Sequence, residues 1–166
     1  ARIGVALAGF WGHVLERAEH GVAIRPSLRA APRLVDARDA RRRPVERRMA
    51  FRWLTAAEVE RYARHPTNEL DASLAARVQS GRDLCYAAVK HERLAAYVWL
   101  ALGSIEAAQN CGRDLNSGVA FSFGPQTAFV YKALVRPEFR GRHLYALLLT
   151  GALDALASRG ITRLLT

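Results

Sequence analysis

Residues 135–149, VRPEFRGRHLYALLL, have the pattern of a strand end, a tight turn and a helix. The preceding run is rich in aromatic and β-branched residues, which favours a strand. Pro137 and Gly141 are typical of a turn, and the apolar spacing from about Arg142 to residue 158 is helical. A strand that leads directly into a helix makes an anion-binding corner, because the first helical N–H groups have no intrahelical acceptor.

Two arginines flank this turn. Arg140 and Arg142 carry guanidinium groups that can pair with phosphate oxygens. His143 and Tyr145 stand where phosphate-binding loops usually have small residues. The residues alone therefore leave two interpretations open, namely a phosphate or pyrophosphate site and a plain surface turn with two arginines.

The sequence after residue 46 predicts a mixture of strands and helices. Thr55 followed by Glu58 forms a capping box that starts the first helix. Hairpin-joined strands followed by one strand–helix–strand crossover predict a mixed sheet whose last two strands are parallel. The predicted order is a strand at 49–54, helices at 56–64 and 69–79, strands at 84–89, 94–102 and 127–135, a helix at about 142–158 and a strand at 161–166.

The first 45 residues differ from the rest. Apolar residues of the segment 3–18 recur at helical spacing, which predicts a helix that packs on the domain or lies on a membrane surface. Residues 22–45 contain three prolines and many arginines, which predicts a linker with one short strand near 33–35. We therefore expect an N-terminal helix and linker over 1–45 and a domain over 46–166.

The chain is basic, with a formal net charge of +10. Such a balance can indicate an anionic partner. However, Arg outnumbers Lys 23 to 2, as in bacterial proteins from GC-rich genomes. The run Arg41-Arg42-Arg43 has no interleaved aromatic residues, so a solvated linker is favoured over nucleic-acid binding and no nucleic-acid partner is expected.

The given sequence predicts neither a transmembrane helix nor a signal peptide. No apolar run reaches the roughly 18–20 residues of a transmembrane helix, and the N-terminal segment has no signal-peptide cleavage site. Cys85 and Cys111 form neither a C-x-x-C pair nor a zinc-site spacing, so no metal is predicted. We expect reduced thiols in a cytoplasmic protein.

Residues 131–148, YKALVRPEFRGRHLYALL, resemble the acyl-CoA-binding segment of the GNAT superfamily of N-acetyltransferases, which commonly reads V-x-P-x-[YF]-R-G-x-G-[IL]-[GY]-x-x-L-L. The order of elements over 46–166 is also similar to that family. The resemblance implies a three-layer α-β-α fold around a mixed sheet. It also implies transfer of an acyl group from acetyl-CoA, as co-substrate, to an amine of an unknown acceptor.

The resemblance assigns roles to particular residues. In the family, the pantetheine amides pair with the exposed edge of the fourth strand, a role that falls here on Ala133, Leu134 and Val135. The family core [QR]-x-x-G-x-[GA] is matched at Arg140, whereas larger residues replace its two small positions. The N–H groups that hold the pyrophosphate would come from Arg140, Gly141, Arg142, His143, Leu144 and Tyr145.

The chemistry also needs a base that deprotonates the acceptor ammonium. The fourth predicted strand contains no carboxylate, so Glu106 and Tyr131 are the candidate catalytic residues. An exposed loop glutamate and a core tyrosine are the competing interpretations. Strand alternation predicts Tyr131 on the same face as Ala133 and Val135.

The family continues past its fifth strand with a helix and two strands, for which this sequence has no counterpart. We expect that the chain is truncated, that these elements are lost, or that a neighbouring chain supplies them. A fifth strand with an unpaired edge favours association, so a homodimer is a further expectation. The alternatives to an enzyme are an inactive GNAT-like binding or regulatory module and a polyanion-binding domain that uses the N-terminal arginines.

Overall fold

The computed structural model describes residues 49–111 and 118–166 in full and the backbone of residues 13–18 and 21–26. In chain order the elements are β1 His13–Ala18, β2 Gly21–Pro26, β3 Ala50–Trp53, α1 Ala56–Ala63, α2 Leu74–Gln79, β4 Asp83–Lys90, β5 Arg93–Leu102, β6 Ser104–Ile105, β7 Phe121–Ser122, β8 Thr127–Val135, α3 Leu144–Leu156 and β9 Arg163–Leu165. Short 3-10 turns at Pro66–Asn68, Ala107–Gln109, Pro137–Phe139 and Ala157–Arg159 connect them.

Within the described part of the chain, seven strands form one sheet in the order β2-β1-β9-β8-β5-β4-β3. The β8–β9 pair is parallel and the other pairs are antiparallel. The predicted mixed α/β sheet and its parallel last pair are therefore confirmed. The parallel pair arises because α3 returns the chain to the same end of the sheet.

Helices cover both faces of the sheet. The first core cluster packs α3, with the fully buried Leu148 and Leu153, against one face. The second cluster packs α1 and α2 against the other face, where Tyr97 and Trp99 of β5 are fully buried. The strands β4 and β5 lie between the two layers and are buried almost throughout, which explains their nearly continuous apolar sequences.

Local signals placed several elements correctly. The Glu58 N–H donates to the Thr55 hydroxyl at 3.3 Å, and the Thr55 N–H donates to the Glu58 carboxylate at 3.0 Å, so the predicted capping box starts α1. The β4–β5 connection is a two-residue turn. His91 and Glu92 both have positive φ there, which matches the twist of a tight hairpin.

The predicted helix over 3–18 is wrong for residues 13–18, which form β1. This strand pairs antiparallel with β9, with Val14 opposite Leu165, and with β2 on its other side. The pairing also contradicts the prediction that the β9 edge is unpaired. An uncovered β9 would present a row of unpaired N–H and C=O groups, and adding a strand satisfies them.

The predicted linker over 22–45 is wrong for residues 22–26, which belong to β2 and pair with β1. The remaining expectations for the N-terminal part lie outside the described residues. These are the rest of the helix before residue 13, the short strand at 33–35 and the arginine run at 41–43. Polyanion binding by that run therefore stays a prediction. The domain division at residue 45 also stays a prediction, although the sheet contains strands from both sides of it.

The second predicted helix, 69–79, begins later than expected, at Leu74. Pro66 starts a 3-10 turn, and Glu69 adopts a left-handed conformation with φ of 50°. These backbone values cannot continue an α-helix, so the chain makes a separate turn between α1 and α2. The segment 107–124, between the predicted strands at 94–102 and 127–135, begins with a 3-10 turn and contains β7, which pairs with β6.

Candidate functional site

The end of β8 leads through a 3-10 turn into α3. We call residues 136–146 the anion corner. The Arg136 N–H donates to the Ala95 carbonyl at 3.0 Å, which ends the strand pairing. Pro137 occupies the first position of the 3-10 turn, and the buried Phe139 fixes that turn in the core beneath α3. The predicted strand–turn–helix sequence is thus what the chain forms here.

The anion corner exposes a series of backbone donors. Gly141 and His143 have positive φ values of 72° and 58°. The first hydrogen bond into the helix runs from the Leu147 N–H to the His143 carbonyl at 3.1 Å. Among the described residues, no backbone carbonyl accepts from the N–H groups of residues 141–146. These donors and the positive end of the α3 dipole favour an anion.

Two arginines add positive charge beside these donors. The Arg140 Nε donates to the Val135 carbonyl at 3.2 Å, so this side chain folds back along β8. The Arg142 guanidinium lies 5.7 Å from the centre of the Phe139 ring. Glu138, the acid within the turn, lies 3.1 Å from Arg136. The corner therefore keeps a net positive charge that suits phosphate.

The Gly141→Ala substitution tests whether the left-handed backbone at this position requires glycine. A Cβ added at Gly141 meets no heavy atom within 4 Å, so Gly141→Ala changes only the backbone strain at φ of 72°. We expect the free energy of unfolding to fall by about 1–2 kcal/mol in urea titrations. Gly124 is a matched control, because its added Cβ also meets nothing and its φ is not positive. Equal effects at the two positions would contradict the assignment of strain to Gly141.

Beside the anion corner, one edge of β8 has no partner among the described strands, and we call it the open edge. The parallel pairing with β9 covers only Thr127 to Phe129, which is opposite Leu165. From Val130 to Val135, no described strand pairs with the edge that faces away from β5. Unpaired N–H and C=O groups on such an edge can pair with an extended ligand.

The register decides which backbone groups face this open edge. The Arg136 N–H donates to Ala95, so these two residues form a hydrogen-bonded pair. Antiparallel pairs alternate, which points the backbone groups of Leu134 toward Tyr97 and those of Ala133 and Val135 toward the open edge. The backbone groups of Leu134 therefore face β5 and those of Ala133 and Val135 face the open edge, whereas the pairing of these three residues with a ligand stays a prediction.

A bulge in β8 overturns the predicted face of Tyr131. Opposite β5, the register passes from Lys132 directly to Val130, so Tyr131 is an extra residue. Tyr131 and Leu134 pack with the cluster under α1 and α2, whereas Val135 packs with the α3 cluster. A bulged residue shifts the alternation by one, which explains why a period of two failed here.

Tyr131 belongs to a buried polar network. Its hydroxyl donates to the Asp83 carboxylate at 2.7 Å. Asp83 is fully buried and also accepts two bonds from Arg77, at 2.7 and 3.1 Å. Burial first, and then the hydrogen bond to Asp83, raise the pKa of Tyr131. A phenol in this state keeps its proton and offers only its lone pairs to another molecule.

Glu106, the other candidate catalytic residue, is engaged in ion pairs. Its carboxylate accepts from Arg77 at 3.2 Å and from Arg82 at 2.9 Å. Both arginines reach it from the side of α2 and β4. This arrangement favours a structural role that joins the segment after β6 to α2.

The tyrosines give an expected pH dependence. Burial, as the largest cause, raises the pKa of both Tyr97 and Tyr131 above the ordinary value near 10. Above about pH 10 the unfolded chain releases these protons and the folded chain keeps them, so stability is present below that pH and falls as pH rises. Each tyrosine contributes a slope of about 1.4 kcal/mol per pH unit. Tyr131→Phe should reduce the slope measured by alkaline urea titrations by that amount, and an unchanged slope would contradict it.

Cys85 and Cys111 are both buried. Burial raises the pKa of the Cys85 thiol well above its ordinary value, so the reactive thiolate is scarce. Cys85 therefore packs as a small apolar residue of β4 in the core cluster beneath α1 and α2.

Sequence reasoning missed the residues that contact the strand from a distance. Asp83 accepts hydrogen bonds from both Arg77 and Tyr131. Lys132, the next residue in β8, donates to the backbone carbonyl of Glu69. These partners are tens of residues apart in the chain, so no local spacing could have revealed them.

Comparisons with known proteins identify similar structures. No protein-family model matches the chain, and no curated protein matches it significantly. The chain is similar to a ribosomal-protein-alanine N-acetyltransferase from Brucella melitensis biovar Abortus 2308, with 14% identity and a TM-score of 0.48 over 70% of this chain and 77% of that one. It is also similar to a GCN5-related N-acetyltransferase from Ralstonia eutropha JMP134, with 19% identity and a TM-score of 0.44 over 69% and 79%.

A third similar structure is a predicted acetyltransferase with acetyl-CoA from Clostridium acetobutylicum, with 11% identity and a TM-score of 0.43 over 70% of this chain and 78% of that one. These structural neighbours are acetyltransferases. The strand order and register described above establish the mixed fold of this chain independently of them. Among the described residues, no helix has the length and hydrophobicity to span a bilayer.

Proposed function

We propose that this chain is a GNAT-type acyltransferase that transfers an acetyl group from acetyl-CoA to an amine. The observation that carries the proposal is the anion corner directly beside the open edge of β8. A ligand with an extended arm attached to a pyrophosphate needs both features together, the open edge for the arm and the anion corner for the pyrophosphate. The resemblance of residues 131–148 to the family's acyl-CoA-binding segment supports the same ligand.

The proposal assigns separate roles along this ligand path. The N–H groups of residues 140–145 hold the pyrophosphate, with the charge of Arg140 and Arg142 beside them. The outward backbone groups of Ala133 and the outward N–H of Val135 pair with the pantetheine amides, because the Val135 carbonyl already accepts from the Arg140 Nε. The chain's contribution to the rate is then positioning of the thioester and the amine.

On the acceptor side, we propose that Tyr131 contacts the amine. Its proton is directed at Asp83, so the phenolic oxygen accepts a hydrogen bond from an amine N–H. A role for Tyr131 as proton donor is disfavoured by the same bond. We assign Glu106 to structure because two arginines already occupy its carboxylate.

Calorimetric titration of acetyl-CoA into the purified chain, in thiol-free buffer, tests the proposal. Adenosine 3′,5′-bisphosphate serves as the comparison ligand because it lacks the pyrophosphate and the pantetheine. We expect saturable binding of acetyl-CoA that is clearly tighter than binding of the bisphosphate. Absence of acetyl-CoA binding by a folded chain would overturn the proposal.

The runner-up function is a GNAT-like module that binds the co-substrate weakly and serves regulation or assembly. One observation favours it: His143 places a Cβ in a left-handed position that the family fills with a small residue. If the imidazole obstructs the corner, His143→Gly should tighten acetyl-CoA binding in the same calorimetric assay. Unchanged affinity would show that His143 is no obstacle.

A further inference from the structure

Residues 65–69, which we call the α1–α2 turn, have little apolar packing. Four of the five side chains are exposed, and Asn68 is the buried one. The Asn68 Nδ2 donates to the Tyr62 carbonyl at 2.9 Å. Glu69 ends the turn with a left-handed φ, which persists where surrounding contacts hold it. Hydrogen bonds therefore have to hold this turn in place.

Two cationic side chains supply such bonds, Lys132 in β8 and Arg136 directly after it. The Lys132 Nζ donates to the Glu69 carbonyl at 2.5 Å, and the Tyr97 hydroxyl donates to the same oxygen at 3.2 Å. The Arg136 Nη1 donates to the Asn68 Oδ1 at 3.2 Å. Bonds from charged donors are the stronger ones, so Lys132 and Arg136 contribute most to holding the turn.

Arg136 contacts the α1–α2 turn with its side chain and forms part of the anion corner with its backbone. Its N–H donates to Ala95 and its carbonyl accepts from the Phe139 N–H at 2.9 Å, so its backbone is part of the anion corner. Its Nε lies 3.1 Å from Glu138 but makes no hydrogen bond there. The hydrogen bond to Asn68 and the ion pair with Glu138 together orient the guanidinium. Movement of the anion corner changes the position of this guanidinium and, through it, the α1–α2 turn.

We propose that Arg136 and Lys132 are positioning residues that couple the α1–α2 turn to the anion corner and β8. A ligand that orders the corner then stabilises the turn. The identity of that ligand as acetyl-CoA rests on the proposed function, whereas the anchoring of the turn by the two side chains does not. Coupling between two sites is reciprocal, so a molecule that orders the turn strengthens binding at the corner.

Hydrogen–deuterium exchange of the full chain, with and without acetyl-CoA, tests the coupling. The Asn68 and Glu69 amides are hydrogen-bonded within the turn and report on it. In the wild-type chain, acetyl-CoA should slow exchange in the peptide over 66–73 by about fivefold or more. In Arg136→Met, which keeps the stem and loses the guanidinium, the slowing should persist at 140–147 and disappear at 66–73. Arg159→Met, in the exposed 3-10 turn that follows α3, is the matched control and should behave as wild type.

The outcomes separate the coupling from the proposed function. Acetyl-CoA binding that protects residues 140–147 without protecting the turn in wild type, or that protects the turn equally in Arg136→Met, would overturn the coupling alone. If acetyl-CoA does not bind, the proposed function fails and the ligand-free chains decide the anchoring. Lys132→Met and Arg136→Met should then speed exchange at 66–73 severalfold at unchanged melting temperature. Equal exchange in all chains would refute the anchoring.

Discussion

The Asp83→Ala substitution is expected to lower the free energy of unfolding by about 3–5 kcal/mol, which is a large share of the roughly 5–15 kcal/mol that stabilises a domain. The carboxylate is fully buried, and its loss leaves the Arg77 guanidinium and the Tyr131 hydroxyl without their main acceptor. Because Arg77 keeps its contact with Glu106, the lower end of this range is expected. Urea unfolding followed by circular dichroism measures the change.

Glu106→Gln is the matched control for this prediction. The Glu106 side chain is 56% exposed, and its ion pairs with Arg77 and Arg82 lie near solvent. Exposed pairs contribute little, so this variant should lose less than about 1 kcal/mol. In a double-mutant cycle, Tyr131→Phe should cost less in the Asp83→Ala background than in wild type, because the phenol has already lost its partner. Similar losses for Asp83→Ala and Glu106→Gln would show that the burial of Asp83 is unimportant.

The His143→Asp substitution should weaken acetyl-CoA binding by about 10- to 100-fold, since a unit negative charge near a diphosphate costs a few kcal/mol at protein surfaces. The new carboxylate stands at the N-terminus of α3, beside the free N–H groups of the anion corner. The same charge is favourable toward the helix dipole, so stability should stay equal or rise by about 0.3–1 kcal/mol. The distinguishing result is that the affinity for acetyl-CoA falls while the free energy of unfolding stays equal or rises.

His143→Asn separates charge from shape in this experiment. Asparagine, like histidine and aspartate, tolerates the left-handed backbone at this position, but it is neutral. Calorimetry should therefore give an acetyl-CoA affinity for His143→Asn close to that of wild type. If the two variants bind equally well, the pyrophosphate does not lie at the α3 N-terminus, and the assignment of residues 140–145 fails.

The start of α1 and the turn at the anion corner were predictable because their sequence signals are local. Thr55 and Glu58 are three residues apart and start α1 by hydrogen bonds within one turn. Pro137 and Gly141 set the turn that joins β8 to α3 through their own backbone limits. A pattern whose interacting residues lie within a few positions of each other predicts the same local structure in any fold.

The N-terminal strand shows where such local reasoning fails. Apolar residues of the segment 3–18 recur at a helical period, yet residues 13–18 form β1. The β9 edge, at the far end of the chain, accepts β1 as a partner and satisfies its backbone groups. Propensity is a weak preference, and a long-range pairing overrides it.

The sequence by itself determined the succession of the main helices and strands after residue 49, the mixed sheet and the position of the anion corner, since these follow from hydrogen bonds between near neighbours or from apolar periodicity. Only the tertiary structure decided the face of Tyr131, the outward direction of Ala133 and Val135, and the partners of Asp83. A single bulge reverses every later side chain in a strand. Buried polar groups take their partners from distant parts of the chain, and the completed fold alone brings those partners together.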